Sequence, residues 1–227
     1  MSGKTYVFGD VHGCLRSLEA ILGKISLTLN DQAIFLGDLI DRGPDSCGVI
    51  DCVMKLSQSN HVKVIMGNHE QMMLMARESQ DAHSNWLQNG GDATLKSYAG
   101  ARATMRDVPR EHWEFLLKDL STFVETRTHI FVHANADPGR RMEDQPDHML
   151  RWERCDRIEA HDSGKVIVCG HTPQMSGRLM NRGYAICLDT GAGYGGPVTC
   201  LEMRSGVVWQ SKADGRVIRS HISDFEE

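Results

Sequence analysis

Short apolar runs that end in a glycine and a polar residue recur along the first half of the chain. The runs are Tyr6–Phe8 before Gly9 and Asp10, Ala33–Leu36 before Gly37 and Asp38, and Val62–Met66 before Gly67 and Asn68. Such runs are typical of buried strands. Between them, apolar residues recur at helical spacing from Leu15 to Ile25 and from Val49 to Met54. The pattern predicts a β-α-β-α-β order with parallel strands and right-handed crossovers.

The pattern becomes mostly helical from Glu70 to about Thr126. Four apolar residues after Pro109 have helical spacing, namely Trp113, Leu116, Leu117 and Leu120. The Asn-Gly-Gly sequence at 89–91 interrupts the helical pattern, because these residues favour turns. This part of the chain predicts a helical insert beside the sheet, with the apolar stripe in the core.

Strand patterns return in the last hundred residues. Ile130–Val132 and Val166–Cys169 are separated by a polar stretch, and antiparallel strands are predicted at Tyr184–Leu188, Val198–Met203 and Val207–Gln210. We therefore predict an α/β protein in which two packed mixed β-sheets are flanked by helices and a helical insert. Because no repeat or low-complexity linker divides the chain, residues 1–227 are expected to form a single catalytic domain.

Charge and cysteine content narrow the class of protein. The net charge is -5 and the basic residues are scattered, so we expect no nucleic-acid partner. An anionic substrate would have to be held by metal ions or by a few arginines. The seven cysteines are odd in number and include no C-x-x-C, which argues against a disulfide framework or a zinc ribbon. A reducing, cytoplasmic location is the natural interpretation.

Two further observations favour a cytoplasmic protein without a membrane partner. Residues with catalytic chemistry appear by position 10, which leaves no room for a removable signal peptide. No apolar run approaches the roughly 18 residues that a membrane-spanning helix needs. The oligomeric state is left open by the sequence.

The ends of five predicted strands carry side chains that can bind a metal ion. These residues are Asp10 with His12, Asp38, Asn68, His133 and His171. In parallel sheets such residues gather beyond the carboxyl ends of the strands. Because residues two apart in an extended chain point to the same side, Asp10 and His12 are expected to bind one ion together. Glycine precedes four of these positions and allows close approach of the backbone to an ion.

The type and number of these side chains indicate two divalent ions. Oxygen and imidazole ligands without a thiolate fit Mn, Fe or Zn in an open catalytic site. Six ligands exceed what one ion needs when water and substrate must also bind. A single Asp or His at a strand end is more often a cap or a turn residue than a ligand. Five such positions, each placed after an apolar run, favour the metal interpretation over packing.

The residues also resemble a known family, the phosphoprotein phosphatase branch of the metallophosphoesterases. Its three blocks are present as GDVHG at 9–13, GDLIDRG at 37–43 and GNHE at 67–70, followed by His133 and Gly170-His171. Trp86 before Asn89-Gly-Gly, Trp152-Glu-Arg154 and Asp189-Thr-Gly-Ala are similar to the compact phosphatases of bacteriophage lambda and of bacteria. The resemblance spans positions 9 to about 196.

The resemblance implies a role for each site residue. One ion would be held by Asp10, His12 and Asp38, and a second, bridged by Asp38, by Asn68, His133 and His171. A hydroxide between the ions would attack phosphorus in line. His69, oriented by Asp41, would protonate the leaving alkoxide. Phosphate would be bound by Arg42, Arg154 and Asn68, although Arg151 and Arg157 lie near Arg154. Manganese is the expected metal, with iron or zinc as alternatives.

The resemblance further implies a serine/threonine protein phosphatase that acts on phosphoproteins or phosphopeptides. The main alternative is a symmetrical diadenosine tetraphosphatase, a relative that typically lacks an Asp at the position of Asp41. A non-catalytic metal-binding module is the alternative from another class, but such a protein would be expected to lose a ligand or the acid. The sequence leaves the physiological substrate and the choice between serine/threonine and tyrosine open.

Overall fold

The computed structural model describes residues 3–226, which contain twelve β-strands in two sheets. The strands are β1 Thr5–Phe8, β2 Gln32–Phe35, β3 His61–Ile65, β4 Leu120–Ser121, β5 Phe123–Glu125, β6 His129–Val132, β7 Val166–Cys169, β8 Met180–Asn181, β9 Ala185–Cys187, β10 Val198–Glu202, β11 Val207–Ser211 and β12 Val217–His221. The larger sheet has the order β12-β11-β10-β1-β2-β3-β4 and the smaller one β5-β6-β7-β9-β8.

The described part of the chain also contains seven α-helices. They are α1 Leu15–Leu22, α2 Ser46–Ser57, α3 Asn68–Met75, α4 Gln80–Trp86, α5 Asp92–Ala99, α6 Arg110–Lys118 and α7 Asp147–Arg151. Helices α3 to α6 form the predicted insert, and a π-helical turn with a left-handed Gly90 (φ 108°) separates α4 from α5. Among residues 3–226, no helix is both long and apolar enough to cross a bilayer.

The pairing of the strands confirms the predicted parallel core. β1, β2 and β3 run parallel and in register, so that Phe8 lies beside Phe35 and Phe35 beside Val64. In the smaller sheet β6 and β7 are also parallel, with Phe131 beside Val168. Antiparallel strands complete both sheets, which makes both of them mixed. Because the parallel strands end at the same level, the residues that follow them meet at one edge.

The alternation of side chains along the strands divides the core into layers. On β1, Tyr6 and Phe8 pack against the helices, whereas Val7 faces the second sheet. On β6, Phe131 faces the first sheet, whereas Ile130 lies in a third apolar cluster on the outer face. Successive strand residues point to opposite faces, so each sheet buries both of its faces. The fold thus matches the predicted two packed sheets with outer helices.

Two predictions of secondary structure were wrong. The sequence pattern predicts helical structure to about Thr126, but α6 ends at Lys118 and the chain continues as β4 and β5. Leu120 pairs with Val64 on the free edge of β3, because sheet pairing overrides the local helical spacing. Leu117, which was assigned to the core stripe, is 54% exposed. The strand at 185–187 belongs to the smaller sheet and is parallel to β7, rather than part of a C-terminal antiparallel set.

Candidate metal centre

The predicted ligands meet beyond the carboxyl ends of the parallel strands of the two sheets, and Asp38 lies among them. Asp38 Oδ2 is 3.6 Å from His12 Nε2, and its Oδ1 is 3.4 Å from His133 Nε2. Two compact groups of potential ligand atoms share this carboxylate, one with His12 and His69 and the other with His133 and His171. A carboxylate common to two groups is the arrangement that a bridging ligand requires.

The hydrogen bonds of three histidines fix which ring nitrogen carries the proton and which keeps its lone pair. Nδ1 of His12 lies 2.8 Å from the Ile40 carbonyl, and Nδ1 of His133 lies 2.8 Å from the Leu36 carbonyl. Nε2 of His171 lies 3.0 Å from a third carbonyl, that of Trp152. A carbonyl only accepts, so these nitrogens carry the protons and the other nitrogen of each ring presents a lone pair to the centre. Such carbonyl partners are typical of metal-binding histidines.

The lone pairs of two of these histidines point at another acceptor. Asn68 Oδ1 lies 2.9 Å both from Nε2 of His133 and from Nδ1 of His171. The Asn68 oxygen therefore faces a nitrogen lone pair in each of these two contacts, and a cation between the two atoms would satisfy both acceptors. Asp10 completes the set because its carboxylate accepts from the backbone N–H of His171 and lies 4.0 Å from His12 Nε2. The chemistry of the donor set therefore fits divalent ions.

The geometric reason given for the pairing of Asp10 with His12 was wrong. β1 ends at Phe8, and His12 has a left-handed backbone (φ 47°), so the segment is a turn rather than an extended strand. The two side chains come together because the turn folds His12 back. Four other non-glycine residues with positive φ lie in or beside the centre, namely Asp38, Asp41, Arg42 and His171. Backbone strain of this kind gathers at functional sites.

Two of the glycines noted in the sequence leave room for carboxylates of the centre. A Cβ at Gly67 would lie 2.1 Å from Asp38 Oδ1, and a Cβ at Gly170 would lie 2.1 Å from Asp10 Oδ1. Neither position can carry a side chain without moving a potential ligand. At these two of the four positions, glycine thus has a steric cause at the centre itself.

Burial and mutual repulsion shape the charges at the centre. Burial lowers the pKa of His12 to about 3 and that of His133 to about 4, so both rings are neutral near physiological pH. Burial and neighbouring carboxylates raise the pKa of Asp10 well above its usual value. Burial, together with the nearby charge of Asp38, also raises the pKa of Asp189 to about 7. Bound cations would coordinate the neutral imidazoles and reduce the repulsion between the crowded carboxylates.

His69 and Asp41 form a buried hydrogen-bonded pair at the side of the centre. Nδ1 of His69 lies 2.7 Å from Asp41 Oδ2, and its Nε2 lies 3.9 Å from Asp38 Oδ2. Burial opposes protonation of His69, but Asp38 and Asp41 outweigh it and raise the pKa of the imidazole. Because Asp41 holds the Nδ1 proton, the Nε2 position is the one that can exchange a proton with the centre.

The helical insert supplies partners for Asp41 that sequence reasoning missed. Trp86 Nε1 donates to Asp41 Oδ2 at 2.9 Å, and Thr94 Oγ1 donates to Asp41 Oδ1 at 2.6 Å. The carboxylate is fully buried and therefore held in one orientation. The motif around Trp86 was noted as part of the resemblance, but nothing in the local pattern pointed to Thr94.

Glu70 is a second positioning residue that was not identified from the sequence. Its Oε2 accepts from the backbone N–H groups of Asp38 and Gly67, each at 2.9 Å, and its Oε1 accepts from that of Leu39 at 2.8 Å. The buried carboxylate fixes the turn that carries Asp38. The only signal was its place in the GNHE block.

The two predicted phosphate-binding arginines occupy different environments. Arg42 Nη1 donates to the lone pair of His12 Nε2 at 2.8 Å, a position that an ion bound to this nitrogen would take over. The guanidinium also stacks 4.7 Å from the centre of the Tyr194 ring. Arg154 is exposed and pairs with Asp156 at 2.8 Å, on the loop that follows α7. Arg151, by contrast, is buried and pairs with Asp147 of the same helix. Arg154 is thus better placed than Arg151 to meet a substrate from solvent.

Comparisons with known proteins place the chain in a family. The chain matches the calcineurin-like phosphoesterase family over residues 3–175. It is 33% identical over 209 residues to serine/threonine-protein phosphatase 1 of Salmonella typhimurium, covering 88% of this chain and 91% of that protein. It is 26% identical to the asymmetrical bis(5'-nucleosyl)-tetraphosphatase PrpE of Oceanobacillus iheyensis, covering 86% of this chain and 87% of that protein.

A solved structure shows the same fold. A serine/threonine phosphatase from Saccharomyces cerevisiae superposes with a TM-score of 0.65 at 18% identity, covering all of this chain and 80% of that one. The family match and the Salmonella relative confirm the resemblance to the phosphoprotein phosphatases. The chain belongs to the calcineurin-like phosphoesterase family, a group of metal-dependent hydrolases of phosphoester bonds.

Proposed function

We propose that this protein is a serine/threonine protein phosphatase with two divalent ions at its centre. The observation that carries the proposal is the His69–Asp41 pair, 2.7 Å apart, beside the shared carboxylate of Asp38. A serine or threonine alkoxide is a strong base that needs a proton as it leaves. A buried, oriented imidazole whose pKa is raised is suited to supply that proton.

The predicted ligand sets keep their division in this proposal. Asp10, His12 and Asp38 would hold one ion, and Asp38, Asn68, His133 and His171 the other. Bound ions would lower the pKa of a water molecule and stabilise charge on the phosphoryl group. Manganese remains the expected metal, and a single catalytic domain in the cytoplasm remains the expected setting.

Other residues of the chain would bind the phosphoryl group, donate the proton and position the acid. Arg42 and Arg154 would grip the phosphoryl oxygens, since a guanidinium can donate two parallel hydrogen bonds. Asn68 would contribute its amide to the same group. His69 would release its Nε2 proton to the leaving oxygen while Asp41 keeps the ring in place. Trp86 and Thr94 act one step further away, by fixing Asp41.

A dinucleoside tetraphosphatase is the second candidate, because a relative named for that activity covers most of the chain. Its substrate would call for stacking and cationic groups for two bases and four phosphates. Among the described residues next to the centre, Tyr194 is an exposed aromatic ring, and it already stacks on Arg42. A phosphorylated side chain of a protein needs no stacking group for a base, which favours the phosphatase.

The choice is decided by a substrate panel at matched Mn²⁺ concentration. We expect a phosphoserine or phosphothreonine peptide to be hydrolysed with a higher kcat/KM than diadenosine tetraphosphate. A phosphotyrosine peptide of the same sequence serves as a third arm. Released phosphate and released nucleotide are measured in parallel. A clear preference for the dinucleotide would overturn the protein-phosphatase assignment and leave the metal centre unaffected.

The arginines give a separate prediction. Replacing Arg42 or Arg154 by alanine removes a charge-assisted grip on phosphate and should cost about 1.5–3 kcal/mol in kcat/KM, which is roughly 10- to 150-fold. Metal content, measured by elemental analysis, should not change. Arg157→Ala is the matched control because Arg157 is an exposed arginine close in sequence. If Arg157→Ala is damaging and Arg154→Ala is neutral, the assignment of Arg154 is wrong.

A further inference from the structure

Three buried cysteines meet on the outer face of the smaller sheet, outside the catalytic centre. Their Sγ atoms all lie within 4.8 Å of one another. Cys169 and Cys187 are fully buried, and Cys155 is 1% exposed. None of them belongs to the ligand sets described above, which contain oxygen and nitrogen donors only.

The fold explains why the three thiols come together. Cys169 ends β7 and Cys187 ends the neighbouring parallel strand β9, and the two are directly paired in register. Both side chains therefore project from the same face of the sheet. Cys155 lies in a turn above that face, where its backbone N–H donates to Thr172 Oγ1 at 2.9 Å. The triad is thus held by two strands and a docked turn.

The surroundings of the sulfur atoms differ from plain apolar packing. The side-chain amide of Gln174 is directed at two of them, with Nε2 4.0 Å from Cys155 Sγ and 3.9 Å from Cys187 Sγ. The same nitrogen donates to the Thr172 carbonyl at 2.8 Å, which fixes the orientation of the amide. The Cys187 thiol donates to the carbonyls of Gly170 and Thr172 at 3.3 and 3.5 Å, and it would give up these bonds on binding an ion. The N–H group aimed at sulfur would then stabilise the thiolate. Such donors are common around metal-bound thiolates.

The spacing of the thiols suits one shared ion. Zinc–thiolate bonds are about 2.3 Å long, so sulfur atoms bound to one ion lie roughly 4 Å apart. The observed separations, none of which exceeds 4.8 Å, are compatible with this value. Thiolate ligands select soft ions such as zinc or Cu(I), in contrast to the carboxylates and imidazoles of the catalytic centre.

We propose that Cys155, Cys169 and Cys187 form a second metal site, which takes a thiophilic divalent ion. On binding, each thiol loses its proton to solvent and donates a sulfur electron pair to the ion. Three thiolates and one divalent ion leave a net charge of minus one, which the Gln174 amide helps to stabilise. The site joins β7, β9 and the Cys155 turn, which lie directly beside His171 and Arg154.

Cadmium is a suitable probe, because thiolate-to-cadmium charge transfer absorbs in the ultraviolet and oxygen or nitrogen ligands give no such band. Protein whose catalytic centre is loaded with Mn²⁺ is titrated with Cd²⁺. We expect the thiolate band to saturate near one equivalent. Cadmium NMR of the wild type should report three sulfur ligands. A wild-type protein without a saturable thiolate band, or with a cadmium signal from oxygen and nitrogen only, would overturn the proposal.

Alanine variants assign the sulfur donors. Cys155→Ala, Cys169→Ala and Cys187→Ala should each weaken Cd²⁺ binding in the thiolate band by at least about tenfold. Cys200→Ala, at another buried strand cysteine, and Cys14→Ala should leave the band unchanged. Circular dichroism checks folding, and the wild-type NMR signal decides the question if a triad variant does not fold. A band that survives in all three folded triad variants would contradict the site.

Discussion

Replacing Asp38 by asparagine should reduce kcat on a phosphoserine peptide by a factor on the order of 10³ or more. Each bound ion stabilises the transition state by several kcal/mol, and about 4 kcal/mol corresponds to that factor. The substitution keeps the shape of the side chain and an oxygen that can accept from the backbone N–H of His69. It removes the negative charge shared by the two groups of ligands. Turnover under saturating Mn²⁺ and metal content together test the prediction.

Two comparisons keep this experiment decisive. Asp119→Asn changes an exposed aspartate after α6 and should leave both activity and metal content unchanged. Exhaustive chelation of the wild type should silence it, and added Mn²⁺ should restore it. Full activity of the demetallated wild type, or an Asp38→Asn variant as active as the Asp119→Asn control, would show that the centre does not work through bound ions.

The second large effect is expected at His69, and it should depend on the leaving group. With phosphoserine peptide, His69→Asn should lower kcat by about 10²–10⁴, the usual contribution of a general acid. With nitrophenyl phosphate the loss should stay below about tenfold, since nitrophenolate is a weak base that leaves without protonation. The ratio of the two losses separates proton donation from a general distortion of the site.

Asp41→Asn should show the same dependence on leaving group, because Asp41 holds the Nδ1 proton of His69. His61→Asn is the control, since His61 is exposed at the start of β3, far along the strand from the centre. Equal losses on both substrates for His69→Asn would remove the general-acid role and leave His69 as a structural residue.

The sequence predicted those features that depend on strand order and strand ends. Asp10, Asp38 and Asn68 were placed together because parallel strands end at one edge, and the register of β1, β2 and β3 brings them there. His133 and His171 followed from the same argument in the second sheet. Glycines before these positions were informative because a Cβ at Gly67 or Gly170 would collide with a carboxylate.

Other features depend on contacts between distant parts of the chain and could not be predicted. Thr94 reaches Asp41 across 53 residues, and the order of the insert helices gives no hint of that contact. The extended pairing of Leu120 with Val64 depends on a free strand edge, which local helical spacing does not reveal. The turn at His12 differs from an extended chain because its backbone is left-handed, a rare state for residues other than glycine. The catalytic roles themselves stay predictions until the variants are measured.

The hydrogen bonds from the helical insert to Asp41 affect how the enzyme loses activity on heating. Trp86 and Thr94 lie on helices outside the two sheets, yet they keep the partner of His69 in place. Peripheral helices commonly open in local fluctuations that cost less free energy than global unfolding. Each such opening would release Asp41 while the sheets, and with them the metal ligands, remain folded. Thermal inactivation should therefore precede melting, and the insert would set the upper temperature at which catalysis persists.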